Sequence, residues 1–216
     1  MLADAEWLAP FFAAAETFII QVPLLQADEN WTALAIGMRT YRSHARVQEA
    51  GCTALLKLVG DPAANADTVK KNQDGIVSVG GIIVILAAMR AHAGDANVQV
   101  QACCALQSLS WNNDNNQLVI AGSGGIIVVV AAMTAHEGLV SMQLSGCLVL
   151  RNVASHNSST AQESIASAGG IDTVVAAMGA HTLELDLQEQ GCAVHKLCIC
   201  IPYLINVCVN VNHITI

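Results

Sequence analysis

The sequence repeats itself with a period of about 44 residues. The string Gly-Gly-Ile begins at Gly80, Gly124 and Gly169, and each copy is followed by an Ala-Ala-Met triplet and then a histidine. These residues are Met89, Met133 and Met178, with His92, His136 and His181. Nine residues after each methionine comes an apolar residue followed by glutamine, and a fourth, divergent copy has Met38 and Val47-Gln48. A period of this length predicts a solenoid, in which each unit buries its apolar face against its neighbours.

Composition fits close packing of helices and narrows the class of partner. The chain is 54% hydrophobic and only 12% charged, with a formal net charge of −8. Its nine Lys and Arg residues are scattered along the sequence. This argues against nucleic acid, because duplex binding depends on clustered basic side chains that displace counterions. An acidic surface of low charge density fits a protein or peptide partner better, including a basic one.

Four of the eight cysteines occupy one position of the repeat: Cys52, Cys103, Cys147 and Cys192. A buried free thiol in each unit explains that spacing better than a disulfide framework does, which favours a reducing compartment. The acidic segment Met1–Glu6 lacks the positive region of a secretory signal. We therefore expect a cytoplasmic protein.

The clearest unit predicts three helices. Asn115 and Asn116 are interpreted as capping residues of a short first helix, and Gly124-Gly125 as a sharp corner, because glycine adopts positive φ without steric cost. The second helix runs from Ile126 to about Ala135 and the third from about Val140 to Ala154. The residue before each phased cysteine is tiny, which predicts close helix contacts: Gly51, Ala102, Gly146 and Gly191.

We expect an all-α array over residues 1–197, with repeats at about 13–60, 68–111, 114–155 and 159–197. Glu29-Asn30 stands at the glycine corner of the first repeat, and Asp61–Asp67 is an insertion loop. Residues 198–216 fit no repeat position and are expected to form an exposed or poorly ordered tail, so that the array is cut off rather than capped. Pro202 and three asparagines interrupt this apolar tail, which disfavours a membrane span.

The repeat resembles the armadillo repeat. The match is carried by N-x-Q-x-x-I-x-x-x-GGI at Asn115–Ile126, V-Q-x-x-A-C-x-A-L at Val98–Leu106 and G-C-x-x-L-R-N-x-A at Gly146–Ala154, within a likeness that covers about residues 25–197. Armadillo stretches of vacuolar and adhesion-associated scaffolds, and of large leucine-rich-repeat kinases, are similar in this way. The resemblance implies a right-handed superhelix whose concave groove, lined by the third helices, binds extended peptides or partner proteins without catalysis.

The sequence departs from the family members that bind nuclear-localisation peptides. Each third helix there offers a Trp and, four residues later, an Asn. The Trp positions read Thr53, Cys104, Leu148 and Ala193 here, and the Asn positions read Lys57, Ser108, Asn152 and Leu197. Only Asn152 matches, so the sequence argues against a nuclear-import receptor. Trp111 is a candidate groove aromatic.

Three other side-chain patterns each have a functional and a purely structural interpretation. The histidine column suggests metal binding or a pH switch, but stacked repeats hold neighbouring imidazoles roughly 10 Å apart, which favours helix capping. Cys198, Cys200, Cys208 and His213 lack the spacing of common zinc sites. Cys192 and His195 form a conceivable nucleophilic pair, although their core-phase positions favour burial. We expect no cofactor and no metal.

The phased glutamines (Gln48, Gln99, Gln143 and Gln188) could bind a peptide backbone, but we favour hydrogen bonds to the backbone of an adjacent unit. The candidate groove contacts lie on the third-helix face away from the cysteines. An equally good interpretation is that these side chains are exposed to solvent and bind nothing. They are Gln101, Cys104, Ser108, Trp111, Leu148, Asn152 and His156.

The sequence favours a non-catalytic adaptor that binds a protein or peptide. The alternative is a regulatory fragment of a larger multidomain protein, such as a kinase. No group of residues in the sequence supports a hydrolase or a metal enzyme. The sequence also lacks a phosphate-binding glycine motif.

Overall fold

The structure, a computed structural model, describes residues 31–60, 64–155 and 159–199. Those residues contain eleven α-helices and no β-strand, which confirms the all-α prediction. In chain order they are α1 (Trp31–Thr40), α2 (Ala45–Val59), α3 (Ala66–Ser78), α4 (Gly81–Ala91), α5 (Ala96–Ser110), α6 (Asp114–Gly122), α7 (Gly125–Ala135), α8 (Val140–Ala154), α9 (Ser159–Ser167), α10 (Gly170–Ala180) and α11 (Leu185–Ile199).

From α3 onward the helices form successive groups of three. Each group has a first helix, a second helix of 11 residues and a third helix of 15 residues. Helices α1 and α2 are the second and third helices of an earlier group. The third helix α8 has the predicted bounds, whereas α11 extends to Ile199. The predicted corner at Glu29-Asn30 and residues 200–216 of the predicted tail lie outside the described residues.

The chain divides into two compact units, Met1–Leu109 and Ser110–Ile216. The first unit contains α1 to α4 and all but the last residue of α5. The second contains Ser110 and α6 to α11. Each unit has its own core of buried aliphatic side chains, including Leu34, Leu55 and Ile85 in the first and Ile120, Leu150 and Ile165 in the second.

The glycine pair at each corner combines two separate requirements. The first glycine has a left-handed backbone in all three described corners, with φ of 77° at Gly80, 73° at Gly124 and 74° at Gly169, as predicted. The second glycine is needed for space: a methyl group at Gly125 would lie 2.7 Å from the carbonyl oxygen of Ile120. The isoleucine of the Gln-x-x-Ile pattern therefore packs directly beneath the corner.

The glycine before three of the phased cysteines packs against the repeated methionine of the second helix. A methyl group at Gly146 would lie 2.5 Å from both Cγ and Sδ of Met133, and Gly51 and Gly191 are equally close to Met38 and Met178. The predicted close contact therefore joins the second and third helices of the same group.

Helix α6 begins earlier than the sequence predicted. Its N-cap is Asn113, whose side chain accepts a hydrogen bond from the backbone N–H of Asn116 at 3.3 Å. The helix itself starts at Asp114, and Asn116 is buried inside its first turn. The prediction that Asn115 and Asn116 cap this helix was therefore wrong, because Asn113 supplies the acceptor that the first-turn N–H groups require.

The phased cysteines do not all share one environment. Cys52, Cys103 and Cys147 are fully buried free thiols, as predicted, but Cys192 is exposed. Cys192 lies on α11, and no described helix follows α11 to cover it. The exposure of Cys192 shows that the expectation of its burial was wrong.

Among the described residues, no single helix is both long and apolar enough to cross a membrane. Two consecutive pairs, α3 with α4 and α6 with α7, reach the required length and composition together, but they bend by 65° and 74° at their breaks.

Candidate functional site

The phased glutamines cap the C-terminal end of the second helix of their own group. The side-chain amide of Gln99 donates to the carbonyl oxygens of Met89 at 2.9 Å and His92 at 2.8 Å. Gln48, Gln143 and Gln188 make the same pair of bonds to the corresponding residues of their own groups. The predicted bond to an adjacent unit was wrong, and these amides are occupied by helix-end carbonyls rather than by a peptide.

Two histidines of the column connect neighbouring groups of helices within a unit. His92, His136 and His181 are all C-cap residues, as predicted. The Nε2 atom of His92 lies 2.8 Å from the carbonyl oxygen of Arg42, and that of His181 lies 2.8 Å from the carbonyl oxygen of Glu137. Because a carbonyl only accepts, each Nε2 carries the proton in this arrangement. These two rings are thus hydrogen-bonded to the backbone of the preceding group.

Three of the seven candidate groove residues lie on α5 in the first unit. Gln101, Cys104 and Ser108 are half-buried, while Cys103 and Leu106 on the same helix are buried. The hydroxyl of Thr53 lies 3.2 Å from Oε1 of Gln101. The carbonyl oxygen of Ser108 accepts a hydrogen bond from the side chain of Gln73 at 2.9 Å.

The second unit contains a groove that two of the predicted residues line. It has a volume of about 710 Å³ and includes Trp111 and Asn152. The other lining residues come from the start of α6, the end of α8, α9 and α11: Asn112, Asp114, Gln117, Arg151, Ser155, Gln162, Ala193, Lys196 and Leu197. Leu148 is half-buried and is not part of the lining. His156 lies outside the described residues.

The indole of Trp111 is the most exposed aromatic surface of this groove. Trp111 is 56% exposed and stands beside Asn112, whose backbone has a φ of 52°. The guanidinium carbon of Arg151 lies 5.6 Å from the centre of the indole ring, within the range of a cation–π contact. Arg151 also donates to the side-chain oxygen of Gln190 on α11. The Trp111–Arg151 pair was not predicted from the sequence, in which 40 positions separate the two residues.

Two buried amides form the polar floor of the groove. Asn152 is 5% exposed and donates from Nδ2 to the hydroxyl of Ser110 at 3.0 Å. Gln117 is 4% exposed and donates from Nε2 to the carbonyl oxygen of Ser110 at 3.0 Å. The Oε1 atom of Gln117 is buried and has no hydrogen-bond donor among the described residues. The floor therefore holds a buried acceptor that a donor N–H would satisfy.

The described side chains offer little for covalent chemistry. Burial raises the pKa of the Cys52 and Cys147 thiols to about 12, which keeps both protonated near neutral pH. Burial also raises the pKa of Cys198 to about 11. No group of three His, Cys, Asp or Glu side chains that could hold a metal ion occurs in the described ranges. Of the residues considered for zinc, Cys200, Cys208 and His213 lie outside those ranges.

The comparison with protein families decides the classification. The family model described as LRRK2 ARM repeat matches residues 20–213. The chain belongs to this armadillo repeat family. The helix triplets, glycine corners and third helices described above are those of an armadillo repeat scaffold. Neither the curated proteins nor the solved structures include a match to this chain.

Proposed function

We propose that this armadillo repeat protein is a non-catalytic scaffold that binds an extended segment of a partner protein in the groove of its second unit. The observation that carries the proposal is the exposed indole of Trp111 held beside the Arg151 guanidinium at the mouth of a groove of about 710 Å³. Tryptophan and arginine are the residues most often found at the energetic centre of protein interfaces.

The polar floor supports a peptide as the occupant. An extended backbone presents an N–H at every second residue towards one side. The Oε1 of Gln117, which is buried and has no donor among the described residues, would accept such an N–H when the peptide displaces the side chains that cover it, and Asn152 holds the Ser110 hydroxyl by a hydrogen bond. Because its amide nitrogen already donates to Ser110, we assign Asn152 a structural role in the floor of the groove rather than a direct contact with the peptide.

The charges at the groove also limit the partner. Asp114, Arg151 and Lys196 line it together, so both signs are present within one site. A peptide of mixed charge satisfies this arrangement better than a polyanion does, and nucleic acid is not proposed as a ligand. Burial keeps the Cys52 and Cys147 thiols protonated, and a protonated thiol is a poor nucleophile, which supports a non-catalytic role at these two positions.

A second candidate function is that of a regulatory armadillo segment of a larger multidomain protein. The family model is named for the armadillo repeats of LRRK2, and this supports the alternative. An antibody raised against the second unit distinguishes the two in the source tissue. A band near 22.6 kDa fits a separate adaptor, and a much larger band fits the regulatory segment.

Selection of peptides from a display library with the purified chain tests the groove. We expect the selected peptides to lose affinity by about 30-fold with Trp111→Ala, because truncation of an interface tryptophan typically costs about 2 kcal/mol or more. The matched control is Leu118→Ala, which truncates a similarly exposed apolar side chain on α6 outside the groove. Equal affinity of the wild type and Trp111→Ala for every selected peptide would remove the groove assignment.

A further inference from the structure

Three arginines meet at one cavity in the first unit. The cavity has a volume of about 580 Å³ and lies where α1 and the residues after it face α4. Arg39, Arg42 and Arg90 line it, and all three are exposed. The described residues of its lining include no carboxylate. A basic site of this kind is unexpected in a chain with a net charge of −8.

Two hydrogen bonds hold parts of this arginine site: one involves the side chain of Arg39 and the other the backbone of Arg42. Arg39 donates from its guanidinium to the carbonyl oxygen of Val79 at 2.7 Å, just before the Gly80 corner. His92 Nε2 lies 2.8 Å from the carbonyl oxygen of Arg42 and so holds the loop that carries this arginine. These two bonds anchor the Arg39 guanidinium and the backbone of Arg42 within the first unit.

The second unit has a cavity at the equivalent repeat positions, with the opposite charge. It has a volume of about 610 Å³ and lies between the second helices α7 and α10. Counted from the methionine of each repeat, Thr134 stands where the first unit has Arg39, and Glu137 stands where it has Arg42. Asp172 likewise replaces Ile83. The fold thus makes the same cavity twice, and the side chains give one copy a basic lining and the other an acidic one.

We propose that the arginine cavity of the first unit binds an acidic peptide segment that carries an apolar side chain. Arginine forks pair with carboxylates in a bidentate geometry, and three of them around one cavity complement a short run of Asp or Glu. Ile83 lies in the same lining and is 50% exposed, and Ala87 and Ala91 beside it are also exposed. These residues form an apolar surface among the three arginines, on which an apolar side chain of the peptide can pack.

This site differs from the groove of the proposed function in both position and chemistry. The groove lies in the second unit and is centred on an indole, whereas the arginine cavity lies entirely in the first unit and contains no aromatic side chain among its described lining residues. Each can be removed by substitutions that leave the other unchanged, so failure of one proposal does not decide the other.

Fluorescence anisotropy with the full chain tests the proposal. The probe is a short fluorescein-labelled run of glutamates with one central leucine, and its counterpart carries lysines in place of the glutamates. We expect saturable binding of the glutamate peptide and a loss of at least about tenfold in affinity with Arg42→Glu/Arg90→Glu. The control Lys70→Glu/Lys71→Glu makes the same change in net charge on the exposed face of α3 and should leave the affinity within about twofold.

A transplant of the site gives a second, independent measurement. Thr134→Arg/Glu137→Arg/Asp172→Ile/Gly179→Arg copies the basic lining onto the equivalent cavity, because Gly179 follows Met178 as Arg90 follows Met89, and should raise the number of peptides bound per chain from one to two. The proposal is overturned if the lysine peptide binds as well as the glutamate peptide, or if the two charge-reversal pairs weaken binding equally. A transplant that adds no binding also counts against it.

Discussion

The side-chain nitrogen of Gln143 lies 2.9 Å from the carbonyl oxygen of Met133, which belongs to the last turn of α7. The same nitrogen lies 3.0 Å from the carbonyl oxygen of His136, so one amide satisfies two of the carbonyls that the end of α7 leaves without intrahelical partners. Because Gln143 is on α8, these bonds also fix the third helix of the group against the second. The four-fold recurrence of this glutamine therefore reflects a structural requirement of the repeat.

Replacement of Gln143 by leucine should destabilise the second unit. Gln143→Leu removes both hydrogen bonds and leaves the buried carbonyl of Met133 without its donor, so we expect the free energy of unfolding to fall by about 2 kcal/mol. Thermal unfolding followed by circular dichroism measures the change. Ser141→Ala, an exposed substitution on the same helix, should leave the melting temperature unchanged. An unchanged melting temperature for Gln143→Leu would show that the capping bonds do not contribute.

Alanine at three glycines of the second unit separates backbone strain from steric clash. Gly169→Ala places alanine at a φ of 74° with open space around it, which should cost about 1–2 kcal/mol. Gly170→Ala should cost more, because its methyl group would lie 2.9 Å from the backbone oxygen of Ile165. Gly179→Ala meets nothing within 4 Å and should stabilise α10 by up to about 1 kcal/mol. Chemical denaturation of the three variants provides the ranking, and equal effects would refute it.

The exposed thiol should react far faster than the buried ones. In a variant with Cys200→Ser and Cys208→Ser, we expect iodoacetamide to modify Cys192 in the native protein and Cys147 only after unfolding. Burial raises the pKa of Cys147 to about 12, so an increase in pH from 7 to 9 does not ionise it in the folded state. Peptide mapping by mass spectrometry measures both rates. Rapid native modification of Cys147 would contradict its placement in the core.

The repeat period, together with local residue patterns, was enough to predict the helical array, the glycine corners and the bounds of α8. These features follow from local rules: Gly124 is needed for a left-handed backbone, and the apolar spacing of Cys147 and Leu150 marks a buried helix face. The sequence also pointed to Trp111 and Asn152, which the structure brings into one groove.

The remaining contacts depend on the directions in which side chains point, and the spacing of residues in the sequence does not give those directions. The position of Gln143 indicates that the side chain is constrained, but not whether it bonds to its own group or to a neighbouring one. The arginine cavity was missed because Arg42 and Arg90 are far apart in sequence and looked scattered. Aligning the repeats on their methionines would have given a signal, because Arg39 and Arg90 both directly follow that methionine.

The most direct test of the proposed scaffold role is a proton–nitrogen correlation spectrum of the ¹⁵N-labelled chain titrated with a display-selected peptide. Each tryptophan indole gives one resolved N–H signal, and substitution identifies it. We predict that the Trp111 indole signal shifts as the peptide saturates the groove, while the signal of Trp31, packed against Gly75 in the first unit, stays in place. Saturation by the peptide with no shift of the Trp111 signal would contradict the account.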